Sequence, residues 1–138
     1  MLRNLTLSLL LALMPLSLVS RTQSEADCLI RNVYYEARGE PFQGKVAVAL
    51  VTLNRVDHPQ YPNDVCKVVY QKNQFSWTKN YKAVKINEDQ WAASKEAVLY
   101  ALLNRDYSFT ATHFHNNQVN PRWKLKKVAK IANHHFYR

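Results

Sequence analysis

The sequence predicts one mainly α, α+β domain that carries a small β-hairpin element. Three observations point there. Apolar residues recur at helical spacing in successive stretches, around Leu29 and Val33, from Val46 to Leu53, and from Trp91 to Leu102. Strand-like alternation is confined to the C-terminal part, at Thr110 to His115 and His134 to Tyr137. The chain has 138 residues, 47% of them hydrophobic and 21% charged, enough for one buried core but not for two. No repeat, low-complexity tract or internal linker divides it.

The N-terminus reads differently from the rest. Arg3 precedes an apolar run from Leu5 to Val19, broken by Thr6, Ser8, Pro15 and Ser17, and polar Ser20 to Glu25 follow. This is the layout of an export signal. The run falls short of the roughly 20 apolar residues that span a bilayer, and Pro15 disturbs a membrane helix. Residues 1–20 are therefore read as the signal, with the boundary open as far as residue 26 because no small-x-small triplet marks a cut; residues 21–138 form the mature domain. A retained anchor is the alternative. Asp27 just ahead of Cys28 argues against lipidation.

Export bears on two further features. Cys28 and Cys66 meet an oxidising compartment and have two readings, a disulfide or two separately buried thiols. The net charge of +9 points to an anionic partner, and outside the cytoplasm a cell-wall polymer or membrane surface fits better than nucleic acid. A solvated basic surface is the plainer reading. A monomer is expected.

The elements follow in order. Ser24 is a candidate N-cap for a helix from about Glu25 to Arg38, with Gly39 as its stop. Leu29, Val33 and Glu36 stand at i, i+4 and i+7, so Glu36 shares the apolar face. Pro41 suits the first turn of a second helix, running to about Arg55 on a stripe of Val46, Ala49, Leu50 and Leu53. Residues 57–63 form a loop, and Asn63 caps a short helix over Asp64 to Tyr70. Gln71 to Ala83 has no period and is rich in aromatics, either a platform for a sugar or packing beneath a loop. Asn87 opens a long helix ending near Leu103. Asn116-Asn117 is a turn, and Pro121 to Ala132, with five lysines and arginines, is either helical or extended.

Both glycines of the chain, Gly39 and Gly44, fall in one stretch around Glu36 and Glu40. Glycine admits positive φ or close backbone approach, so this stretch is marked as a shaped corner. Glu36 has two readings: a general acid whose burial raises its pKa, or a buried carboxylate paired with Arg38 or Arg55. Glu40, just before Pro41, reads as a helix-start residue. His113 and His115 share one side of a strand with His134 and His135 nearby, yet no HExxH-type spacing supports a metal. Histidines lining a polar groove are the better reading, and no metal or cofactor is assigned. A serine elbow or a phosphate loop needs glycines this chain lacks. What remains is acid catalysis by a carboxylate, the chemistry of glycosidic bonds.

The block Tyr34-Tyr35-Glu36-Ala37-Arg38-Gly39-Glu40-Pro41, then Gln43-Gly44-Lys45-Val46-Ala47-Val48, then Leu53-Asn54-Arg55-Val56, closely resembles the SleB-like cell wall hydrolase family, which includes spore-cortex-lytic enzymes. The likeness continues through Tyr61-Pro62-Asn63-Asp64-Val65-Cys66, Gln74-Phe75-Ser76-Trp77, Ala111-Thr112-His113-Phe114-His115, Trp123 and His135-Phe136-Tyr137. The resemblance implies a lysozyme-like domain that cleaves peptidoglycan glycan strands between N-acetylmuramic acid and N-acetylglucosamine. It places the catalytic glutamate of lytic transglycosylases on Glu36. Gln74, Ser76, Trp77, His113 and His115 are the implied groove residues. This chain has Asn73 where many relatives carry cysteine, and His113 and Phe114 where some carry tyrosine.

Overall fold

A computed structural model of the chain describes residues 16–83 and 85–138. Among the described residues four α-helices come first, α1 (Leu16–Ala37), α2 (Phe42–Asp57), α3 (Val65–Val69) and α4 (Glu88–Leu103), and two short 3-10 turns separate α3 from α4. Three strands close the chain: β1 (His113–Asn116), β2 (Lys127–Ile131) and β3 (His134–Tyr137).

Helix α1 begins well before the expected Ser24 cap. The stretch from Ser20 to Ala26 is polar but contains no glycine or proline, so nothing breaks the backbone ladder. Arg21 faces Glu25 one turn on at 3.6 Å and Asp64 at 3.7 Å, which adds charge support to the first turns. Its inner face buries Leu29, Ile30, Val33 and Ala37. The signal expected at residues 1–20 lies mostly outside the described residues. Among those described, no helix is long and apolar enough to cross a membrane.

Helix α2 is the centre of the molecule. The expected stripe covers one face, but Ala47, Val48, Val51 and Thr52 are buried on the other. A helix apolar on all sides is one surrounded by packing partners, and α2 touches α1, α3, α4 and β1. Burying each valine or leucine here is worth about 1.5–3 kcal/mol, so Leu50→Ala is expected to cost about 2–5 kcal/mol.

Caps are set by side-chain reach. Asn87 caps α4 by accepting from Gln90 N at 3.0 Å. At α3 the cap is Asp64, which accepts from Lys67 N at 2.9 Å, where Asn63 was expected. The shift by one residue follows from the helix starting at Val65. Cys28 and Cys66 are joined, with Cα atoms 5.3 Å apart, tying α1 to α3.

The basic stretch before Ala132 is extended, and it turns the predicted hairpin into a three-stranded antiparallel sheet ordered β1-β3-β2. β3 is central, pairing His115 with His135 and Asn116 with His134 on one side and Ile131 with His134 on the other. Two residues of α2 fasten the segment leading into this sheet. Asn54 donates to the carbonyls of Phe109 and Ala111 at 2.7 and 2.9 Å, and Arg55 Nε donates to that of Thr112 at 2.7 Å. The Leu53-Asn54-Arg55 block is thus the joint between helical and sheet layers.

Candidate active site

Glu36 lies in the last turn of α1, where helix and sheet meet. Two cavities, of about 620 and 440 Å³, both include Tyr35, Glu36, Asn116 and His134 in their walls. They read as one groove passing over Glu36. The first arm runs past Gly39, Glu40 and the β2–β3 turn, and the second past Ser76, Trp77, His115 and Trp123.

Among the described residues Glu36 has no ion pair and its carboxyl makes no hydrogen bond within the protein. Burial pushes its pKa up to about 7, with the Arg55 guanidinium pulling weakly the other way. Of the two readings open in the sequence, the paired carboxylate loses its partners. Arg38 leans over the Tyr34 ring at 5.4 Å, and Arg55 spends its donors on Thr112 and on Gln74 Oε1 at 3.2 Å. A carboxyl in this state holds a proton near neutral pH and faces open space.

Glu40 differs from its expected part. It stands just before α2, whose N-cap is Pro41, and its carboxylate accepts no capping hydrogen bond from that helix. Its carboxylate crosses to the sheet, accepting from Asn133 N at 3.2 Å with one oxygen and lying 3.7 Å from His134 Nδ1 with the other. Lys45 Nζ donates to its backbone carbonyl. Of the two uses expected of the corner's glycines, neither adopts positive φ. Gly44 is the close approach: a Cβ there would meet Glu40 Cβ at 3.1 Å, so the missing side chain makes room for Glu40. Gly39 has nothing within 4 Å.

The other sequence candidates separate. Ser76, Trp77 and His115 line the second arm together with Glu36. Gln74 is exposed and lies outside both cavity walls, its carbonyl taken by Arg55. His113 also lies outside them; its Nδ1 meets Thr112 Oγ1 at 3.0 Å and its ring abuts Trp123 at 5.4 Å. Trp77 stacks on Tyr35 with ring centroids 4.7 Å apart, the packing reading of its loop, and it also lines the groove.

Tyr35, Glu40, His134 and Trp123 were not singled out as site residues. Tyr35 and Glu40 flank Glu36 in sequence, and proximity was the available signal. His134 stood out only as one of a histidine pair, and its place depends on the pairing of β1 with β3. Trp123 is reached through that same pairing, with His115 and Tyr137 against its ring at 5.7 and 5.6 Å. Among the described residues no group of three or more His, Cys, Asp or Glu is arranged to hold a metal.

The groove at the helix–sheet junction thus holds a protonatable carboxyl, and the chain belongs to the cell wall hydrolase family, which it matches over residues 39–137. Glu36 stands just ahead of the matched span. The chain is 34% identical over 119 residues to the spore cortex-lytic enzyme of Bacillus subtilis and 32% identical over 118 residues to that of Halalkalibacterium halodurans. Each alignment covers 83% of this chain but only 38% and 35% of those enzymes, so the chain spans well under half of their length. Among solved structures, the catalytic domain of the Bacillus cereus SleB protein superposes with a TM-score of 0.72 at 32% identity, covering 84% of this chain and 91% of that domain. The catalytic domain of the germination-specific lytic transglycosylase SleB from Bacillus anthracis matches equally, with 95% of that domain covered. The lysozyme-like fold is shared with these domains.

Proposed function

We propose that this chain is an exported enzyme that cuts the bond between N-acetylmuramic acid and N-acetylglucosamine in peptidoglycan, as a lytic transglycosylase with Glu36 as acid and base. The observation that carries this reading is the unpaired Glu36 carboxyl, pushed up to about 7 and open to a groove on both sides.

The chemistry follows from one carboxyl doing two proton transfers. Protonated Glu36 donates to the glycosidic oxygen as that bond breaks. The carboxylate then takes the proton of the muramic acid 6-hydroxyl as its oxygen closes on the anomeric carbon. The product is a 1,6-anhydro sugar and no water is consumed. A hydrolase would need a second carboxylate to activate water. Glu40 is the nearest in sequence, and both of its oxygens are already directed at Asn133 and His134. That favours the transglycosylase over a hydrolytic muramidase.

In this reading Ser76, Trp77 and His115 contact the glycan directly, while Gln74 and His113 act from behind through Arg55 and Trp123. The basic residues from Arg122 to Lys130 hold the enzyme against anionic wall polymer or membrane. Residues 1–20 direct export, by cleavage or as an anchor, and residues 21–138 are the catalytic domain. Mass analysis of sacculi digested with the protein decides the product: anhydro ends are expected, and reducing ends alone would give the reaction to a muramidase.

A further inference from the structure

His134 is almost fully buried, yet it reaches both arms of the groove. Its ring is walled by Phe114 at 5.3 Å and Phe136 at 6.2 Å. Its Nδ1 is shut away from solvent and has no hydrogen-bond partner in normal range, and the group it faces is Glu40 Oε1, 3.7 Å away. With Nδ1 buried on the Glu40 side, the Nε2 edge is the one left to the groove. A neutral imidazole carries one donor and one acceptor nitrogen, and the choice between them is set by what the buried nitrogen meets.

The surroundings make that choice. The Glu40 carboxylate presents only acceptor oxygens, so even at 3.7 Å its charge favours a proton on Nδ1 over a lone pair there and leaves the Nε2 lone pair free. Glu40 from the corner and His115 from β1 act on the ring, its neighbour His135 interacts with it, and Glu36 shares both cavities with it. Burial pulls His134 below the ordinary histidine value; Glu40 opposes this and His115 adds to it. The ring is neutral at neutral pH.

We propose that His134 is a hydrogen-bond acceptor for a sugar hydroxyl beside Glu36, and that Glu40 is the positioning residue that fixes its tautomer. This rests on the glycan-cleaving reading of the groove. It adds an acceptor to a site whose acid is Glu36 and assigns a use to the second glutamate of the corner. The competing account makes Glu40 and His134 a structural pin that only holds the β2–β3 turn through Asn133.

Nitrogen-15 NMR of the histidine-labelled full chain separates the two. The wild-type protein is expected to show His134 as the Nδ1–H tautomer, and the Nε2–H tautomer there overturns the proposal without any variant. Glu40→Gln supplies the second measurement. The glutamine oxygen keeps the Asn133 N–H, and its NH₂ then faces Nδ1 and moves the proton to Nε2. The expected result is an inverted tautomer with an unchanged melting temperature and a drop of about tenfold in kcat/KM on purified sacculi, the size of one lost hydrogen bond. Wild-type cleavage by a protein with the inverted tautomer overturns the proposal. Glu36→Gln in parallel keeps the two readings apart: if it still cuts sacculi, the reading of Glu36 as acid falls, whereas an inactive Glu36→Gln beside a fully active Glu40→Gln removes only the role of His134.

Discussion

Trp77 is held in place by Asn32: the indole Nε1 donates to Asn32 Oδ1 at 2.9 Å, and the same amide donates onward to Thr52 Oγ1 at 3.2 Å. Asn32 is fully buried and stands one helical turn before Glu36, so α1 carries both the acid and the anchor of the aromatic wall. Asn32→Ala strips a buried hydroxyl and an indole N–H of partners together. It is expected to lower stability by about 1–3 kcal/mol in urea unfolding and to weaken lysis beyond that loss, because Trp77 is released from Tyr35.

Glu36→Gln keeps the volume of the side chain and removes the transferable proton. Turbidity clearing of sacculi is expected to fall by about 10²–10⁴-fold while sedimentation with the same sacculi persists. Undiminished clearing would recast the protein as a cationic wall binder.

Lysis is expected to decline as pH rises through about 7, where Glu36 loses its proton. Stability carries the same sign. Between the ordinary value of 4.5 and about 7 the unfolded chain has released this proton and the folded chain has kept it, so folding grows less favourable as pH rises. The penalty is complete above pH 7 and amounts to at most about 3 kcal/mol. Glu36→Gln is therefore expected to be more stable than wild type at pH 8, with the gain gone by pH 4.5, as read by denaturation at the two pH values.

The bond between Cys28 and Cys66 closes a loop with a sequence separation of 38. Replacing both with serine is expected to lower stability by about 2–4 kcal/mol through a freer unfolded chain. Equal urea midpoints for the two proteins would contradict this.

Ala132 in the β2–β3 turn has φ of 48°, a region that costs a residue with a side chain roughly 1 kcal/mol. Ala132→Gly is expected to raise the thermal midpoint, since the neighbouring Asn133 N–H stays on Glu40.

Helices were legible wherever apolar period and a start signal coincided, as at Pro41 and Asn87. The start of α1 was not, because the polar residues from Ser20 to Glu25 are good helix formers that look like a signal exit. The basic segment before Ala132 gave no local preference, and its strand exists because β3 offers it a partner on the side away from β1. Glu36 was legible from its spacing with Leu29 and Val33 as a carboxylate on the apolar face of its helix, with the acid and ion-pair readings both open. Glu40 was read as a helix-start residue, and it does precede the α2 N-cap; the side-chain partners Asn133 and His134 were not legible because they are far away in sequence.

By itself, the sequence determined the helical spine, the carboxylate on its inner face and the family to which the chain belongs, since these rest on short-range spacing and contiguous motifs. Only the tertiary structure decided which residues surround that carboxylate. Burial and pairing across the sheet are long-range properties, and they directed the hydrogen bonds of Arg55 and the ring contact of Arg38 elsewhere while placing His134 in the same groove as Glu36.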